Sequence, residues 1–176
     1  MNFFNRFILR ILSILTIIGQ ILCSIAGIGL VLAAGSLLLI PNDFKQELLS
    51  YANTNNTIPT IFLIVSAIVG FLIITSIFFV LRSLKKIIDN IYSKQYFVEQ
   101  NVTSLKKILT YFSIFTISNI LSLFFFAYAH EQNVSSIFAN SWSQIGIYMI
   151  ILAIIYTLYL VFKSSMELKN ENDSFV

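Results

Sequence analysis

The sequence predicts an all-α integral membrane protein, a four-helix bundle whose second and third spans extend into a cytoplasmic helical hairpin. Three observations carry this expectation. First, 57% of the 176 residues are hydrophobic and only 11% are charged, against roughly 45–50% and about 25% in an ordinary soluble domain. Too few polar groups exist to cover a water-facing surface, which excludes a soluble enzyme, a disordered chain and a secreted disulfide scaffold. Second, four uncharged apolar stretches recur, at Ile11–Ile40, Ile58–Leu81, Ile108–Tyr128 and Gln144–Phe162. Third, the basic residues gather on one side of these stretches. Residues 1–176 read as a single membrane domain.

A hydrocarbon core about 30 Å thick needs roughly 20 helical residues, and each stretch supplies about that many or more. Their apolar residues run on without alternation, which selects helices over strands. The first stretch is longer than one perpendicular crossing requires. It either tilts or continues past the membrane until Pro41-Asn42-Asp43 stops it. It is also too long for the core of a cleavable signal peptide, and reads as an uncleaved first span.

Cys23, the only cysteine, lies inside this span and rules out an internal disulfide. Gly19, Cys23 and Gly27 recur every four residues, with Gly35 further along, and Ser66 and Gly70 repeat the spacing in the second span. Small residues so placed line one face and let another helix approach closely. They are candidate helix-packing positions, serving the bundle itself, a homo-oligomer or another membrane protein.

The charges choose the orientation. Arg6 and Arg10 precede the first span. Arg82, Lys85, Lys86, Lys94, Lys106 and Lys107 lie between the second and third, and Lys163 and Lys169 follow the fourth. Ten of the eleven basic residues thus share a side, and Lys45 alone lies opposite. The positive-inside rule puts both termini and the middle connection in the cytoplasm. The outward segments are Pro41–Thr57, a solvated loop after a short helical piece, and His130–Ser143. They hold glycosylation-type triplets at Asn55-Asn56-Thr57 and Asn133-Val134-Ser135, and Trp142 sits where an outer interfacial anchor belongs.

Chemistry leaves few traces. Asp, Glu, Lys and Arg are absent from all four spans, although transport or intramembrane catalysis commonly retains such a group at membrane depth. Gln20 and Asn119 are the notable polar residues inside, expected to bond between helices or, alternatively, to contact a substrate. His130 is the only histidine, so no histidine cluster can form a metal site. No nucleophile with a base and no phosphate-cradling loop is present. No enzyme, metal or cofactor is predicted.

The segment from Leu81 to Ile108 is the most informative. Leu81, Leu84, Ile87, Ile88 and Ile91 fall at helical spacing, opposite Lys85, Lys86, Asp89 and Asn90. The second span therefore continues as an amphipathic helix for about ten residues, or about 15 Å. A break at Ser93-Lys94-Gln95-Tyr96-Phe97 precedes a new helix near Asn101, expected as its N-cap. That helix sets Val102, Leu105, Ile108, Leu109 and Phe112 on one side. Tyr96, Phe97, Asn101, Leu105 and Lys106 are the candidate docking residues of the resulting hairpin. In the alternative reading Phe97 plugs the hairpin and the lysines only set topology and meet anionic lipid. Direct nucleic-acid binding is not expected, because basic residues beside a membrane follow from orientation alone.

Leu81-Arg82-Ser83-Leu84-Lys85-Lys86-Ile87-Ile88, then Tyr96-Phe97, then Asn101 with Leu105-Lys106-Lys107-Ile108, resembles the family called domain of unknown function 2975. Its members share the length, four predicted spans, a basic stretch after span two, an Asn four residues beyond a Phe, and a Leu-basic pair entering span three. Here these are Phe97, Asn101 and Leu105-Lys106. Tyr96 stands where many relatives have proline, and Lys94-Gln95 replaces a glycine-containing turn. The resemblance implies an architecture and no reaction. Members are often encoded beside small helix-turn-helix regulators, which implies a membrane-bound regulatory role with such a regulator as partner.

The expectation is thus a multi-pass protein of a bacterial-type inner membrane, acting as a non-enzymatic interaction or regulatory protein in contact with the lipid bilayer. The alternatives are a small transporter or channel subunit, or an immunity protein against a membrane-active toxin.

Overall fold

The computed structural model describes residues 3–39, 60–128 and 142–174. They form α1 (Phe3–Leu39), α2 (Thr60–Tyr92), α3 (Glu99–Tyr128) and α4 (Trp142–Ser174). All four are long and apolar enough to cross a membrane, so the chain is a multi-pass membrane protein. Pro41, the outer Asn- and Thr-rich loop with its short helical piece, His130 and both glycosylation-type triplets lie outside the described residues.

The helices overrun the apolar stretches that announce them. α1 already includes Arg6 and Arg10. α4 continues twelve residues beyond Phe162, where the sequence marks the end of its span. Met166, Glu167, Leu168 and Lys169 are good helix formers, and Lys163 pairs with Glu167 one turn on at 3.8 Å. Hydropathy marks where lipid ends, and the hydrogen-bonded ladder does not stop there.

Neighbours in the chain are neighbours in space. α1 packs on α2, α2 on α3 and α3 on α4, and no comparable contact joins α1 to α4 among the described residues. α2 and α3 are therefore the inner pair. Their inward residues recur with a seven-residue period, Ile73, Ser76, Val80, Ser83, Ile87 and Asn90 on α2 and Asn101, Leu105, Ile108, Phe112, Phe115 and Asn119 on α3, with α3 sharing its inward side between α2 and α4. Every one of these is buried or half-buried, and the alternating three- and four-residue steps are those of a coiled-coil seam. The inward side of α1 keeps the same period through Leu9, Ser13, Thr16, Gln20, Cys23 and Gly27.

The distribution of polarity is inverted relative to a soluble protein. Thr16, Ser76, Ser83, Ser104, Thr116, Ser118, Asn119 and Ser122 are all buried, while Phe7, Ile14, Ile18, Ile25 and Ile28 of α1 are exposed. In lipid the tails are as apolar as leucine, so helices gain little by hiding leucine from them and associate through close packing of small residues. The hydroxyls need no partner helix. Thr16 Oγ1 donates to the Ser13 carbonyl at 2.7 Å, Ser76 Oγ to Leu72 at 2.7 Å and Thr116 Oγ1 to Phe112 at 2.9 Å. Each hydrogen bond closes on a carbonyl of the preceding turn.

Among the described residues, a buried apolar cluster forms towards the α2–α3 turn. Ile87, Leu105 and Ile108 are its buried centre, joined by Val80 and Ile91 of α2 and by Ile155, Tyr159 and Phe162 of α4. Leu84, expected on the apolar face, is instead exposed, and Leu81 turns towards Gly19 of α1. Asn90, expected on the polar face, is half-buried on the seam. Three helices compete for α2 here, so its inward face is set by its neighbours rather than by one amphipathic stripe. Truncating Leu105 to Ala should cost about 2–5 kcal/mol, read as a lower thermal unfolding midpoint of the detergent-solubilised chain. Leu84→Ala should leave that midpoint nearly unchanged.

Candidate functional site

The connection between α2 and α3 spans residues 93–98 and is held by two devices. The first ends α2. The Lys94 amide donates to the Ile91 carbonyl at 3.0 Å and the Gln95 amide to Asn90 at 2.8 Å, the paired reversed bonds of a Schellman ending. Such an ending needs one left-handed residue, and Lys94 takes it with φ 62°. That conformation suits glycine and strains a residue with a Cβ by about 1–2 kcal/mol.

The second device is Asn101, whose side chain is fully buried. Its Nδ2 donates to the Gln95 carbonyl at 3.0 Å and to the Tyr96 carbonyl at 2.7 Å, while its Oδ1 accepts from Asn90 Nδ2 at 2.7 Å. Asn90 Nδ2 also donates to Gln100 Oε1 at 3.2 Å. One amide thus ties the incoming loop to the last turn of α2. It is not the N-cap that the sequence predicts. α3 begins at Glu99, and the Asn101 amide bonds to the Val98 carbonyl at 2.9 Å, so Asn101 belongs to the first turn. The fully buried carboxamide of Asn101 is satisfied by the loop carbonyls and by Asn90, as a buried polar group requires.

This staple fills the turn and leaves Phe97 outside it. Phe97 and Tyr96 are 49% and 42% exposed, and the Phe97 ring lies 6.1 Å from that of Phe162 on α4. Lys106 is exposed on the outer side of α3 and Leu105 is buried beneath the turn. The turn residues therefore separate by burial: Asn101 and Leu105 are buried, whereas Tyr96, Phe97 and Lys106 are exposed. Arg82, Lys86, Lys94 and Lys107 are exposed as well. Lys85 is engaged with Asp89 at 2.6 Å.

The packing residues named from sequence face inward. A Cβ on Gly19 would come within 2.8 Å of Leu81 Cδ1, and one on Gly27 within 3.7 Å of Ile74. Cys23 and Ser66 are half-buried and Gly70 is buried, but a Cβ on Gly35 would meet nothing within 4 Å. The helix-to-helix hydrogen bonds expected of Gln20 and Asn119 do not form as foreseen. Asn119 Nδ2 donates to the Phe115 carbonyl of its own helix at 2.7 Å, a bond that needs no alignment of two helices. Gln20 Nε2 is buried and has no partner among the described residues. Trp142 is exposed and meets Phe124 edge-on, with ring centroids 5.5 Å apart.

Sequence reasoning missed the α1 side of this end of the molecule. The Arg6 guanidinium lies 5.8 Å above the Tyr92 ring, and Ser13 Oγ donates to Asp89 Oδ1 at 3.3 Å. Nothing in the spacing of two arginines before a span points to a contact with residues some eighty positions away.

Two substitutions separate the devices of the turn. Asn101→Ala removes the bonds to the Gln95 and Tyr96 carbonyls and leaves Asn90 Nδ2 with Gln100 alone, and should cost about 1–3 kcal/mol, with faster tryptic cleavage at Lys94 in the solubilised protein. Lys94→Gly removes the strain of the left-handed residue and should raise the thermal midpoint, by no more than the equivalent of about 1 kcal/mol.

No curated protein and no solved structure matches the chain. The family described as "Protein of unknown function (DUF2975)" matches over residues 47–176, which takes in α2, α3, α4 and the stapled turn while α1 lies before the match. With that match over most of its length, the chain belongs to the DUF2975 family of proteins of unknown function.

Proposed function

We propose that the protein is a non-enzymatic interaction or regulatory protein of a bacterial inner membrane, with both termini and the α2–α3 turn in the cytoplasm. One observation carries the reading: the turn is rigidly stapled, yet its aromatic pair is left exposed between basic flanks. Tyr96 and Phe97 sit in a backbone fixed by Asn101, with Lys94, Lys106 and Lys107 exposed around them. Aromatic side chains on a preorganised backbone lose little entropy on binding, and they are frequent anchors of interfaces. The excess of basic residues at this end supports the cytoplasmic orientation. A soluble helix-turn-helix regulator is the partner that the family resemblance favours.

The test is capture of the tagged full chain from native membranes in mild detergent, followed by rebinding of any captured protein to the purified chain. A variant carrying Tyr96→Ala, Phe97→Ala, Lys106→Gln and Lys107→Gln runs alongside. Its insertion is checked by labelling Gln95→Cys, in a Cys23→Ser background, with an impermeant thiol reagent from either side of the membrane. The expected result is a partner that rebinds the wild type and loses at least tenfold in affinity for the variant, about 1.4 kcal/mol. Equal binding to both, or no partner, removes the docking role from the turn. Labelling of Gln95→Cys from outside intact cells reverses the orientation.

A further inference from the structure

We propose that the cleft between α1 and α2 at the turn end of the molecule seats the phosphate-bearing headgroup of an anionic phospholipid. The cleft is lined by Leu9, Arg10 and Ser13 of α1 and by Ile88, Asp89 and Tyr92 of α2. It rests on the membrane reading of the helices and not on the docking role of Tyr96 and Phe97.

The charges in and around the cleft are unevenly committed. Asp89, its one carboxylate, is occupied on both oxygens, holding Lys85 at 2.6 Å and accepting from Ser13 at 3.3 Å. Arg10 lines the same cleft, and no ion pair joins it to Asp89. One turn earlier, Arg6 lies over the Tyr92 ring, a contact that orients its guanidinium without neutralising it. Three cations thus surround one carboxylate that is already paired, and the excess is positive. A guanidinium fork matches the oxygens of a phosphodiester.

The depth of the cleft identifies the source of that phosphate. The apolar stretch of α1 begins at Ile11, which the Ser13–Asp89 bond sets level with the Ile88–Tyr92 turn of α2. The apolar stretch of α2 stops at Leu81, seven residues earlier, or about 10 Å along a helix. The cleft lies at the outer end of this stretch, where α1 enters the apolar layer and Arg10 stands next to Ile11, the level at which headgroups meet the hydrocarbon core. Ile14, Ile17 and Ile21 follow Arg10 at helical spacing along one side of α1 and are exposed, an apolar track for acyl chains. A soluble phosphate ester would gain nothing from that track.

Native mass spectrometry of the full chain in mild detergent, titrated in turn with phosphatidylglycerol, phosphatidylethanolamine and phosphatidylcholine, tests the assignment. Phosphatidylglycerol should be retained several-fold over both zwitterionic lipids. Arg10→Gln should reduce its retention about fivefold, the effect of one basic residue at an anionic surface. Arg6→Gln should act in the same direction. Lys107→Gln, which removes the same charge from the exposed side of α3, should leave retention unchanged. Thermal midpoints equal to wild type establish that the variants are folded. Equal losses from Arg10→Gln and Lys107→Gln, or no discrimination among headgroups, overturn the site in favour of diffuse attraction. Displacement of the lipid by millimolar glycerol phosphate overturns the lipid as its occupant and assigns the cleft to a soluble phosphate ester.

Discussion

The carboxamide of Asn101 holds together the part of the molecule on which the rest is arranged. It bonds two loop carbonyls and the Asn90 amide at once, so the loop, the end of α2 and the start of α3 share one buried polar group. Asn90 and Asn101 also occupy the last facing positions of the α2–α3 seam. A slip of one residue would break these bonds and leave a carboxamide buried without partners, at a cost of several kcal/mol. A polar pair at one end of an otherwise permissive seam is thus a register lock, as a single buried asparagine is in coiled coils. Because α1 packs only on α2 and α4 on α3 as principal contacts, their placement inherits that register.

Away from the turn the interior follows a different rule. Serines, threonines and small residues are buried, many isoleucines and phenylalanines are exposed, and the hydroxyls of Thr16, Ser76 and Thr116 bond to the preceding turn of their own helix. The bonds that satisfy the interior are local and carry no information about which helix should lie opposite. Specificity comes from shape, as where Gly19 admits Leu81, and from aromatic contacts such as the stack of Phe79 on Tyr111 at 4.7 Å. Phe112 and Phe115 meet Tyr148 edge-on, and bring α4 onto α3. These contacts are each worth about 1 kcal/mol, which leaves the single polar staple with unusual weight.

The turn end is also where the four helices differ most from plain spans. Arg6 and Ser13 reach Tyr92 and Asp89, and Phe97 leans on Phe162, so the beginning of α1 and the polar extension of α4 converge on the same end as the stapled turn. A single face thereby gathers the exposed aromatic pair, the cleft with Arg10 and most of the positive charge. A docking surface for a soluble protein and a headgroup seat are compatible there, since Tyr96 and Phe97 extend beyond the level of the cleft along the chain of α2.

The four membrane helices of the described residues and the break after Tyr92 were legible in the sequence, because lipid imposes a length and an uninterrupted hydropathy on any chain that crosses it. The continuation of α2 to Tyr92 and the restart of helix close to Asn101 were legible too, from the spacing of Ile87, Ile88, Leu105 and Ile108. The role of Asn101 was not. An asparagine near a helix start reads as a cap, and only the fold of the loop back over α3 places two carbonyls and Asn90 within its reach. Leu84 and Asn90 exchanged their expected faces for a similar reason: periodicity defines a stripe on one helix, whereas burial depends on how many helices surround it. The cleft with Arg10 and Asp89 belongs to the tertiary structure alone, since it joins residues that only the packing of α1 on α2 brings together. Hydropathy acts locally along the chain and is therefore written in the sequence; the pairing of faces is a long-range choice among helices of nearly equal polarity, and only their packing decides it.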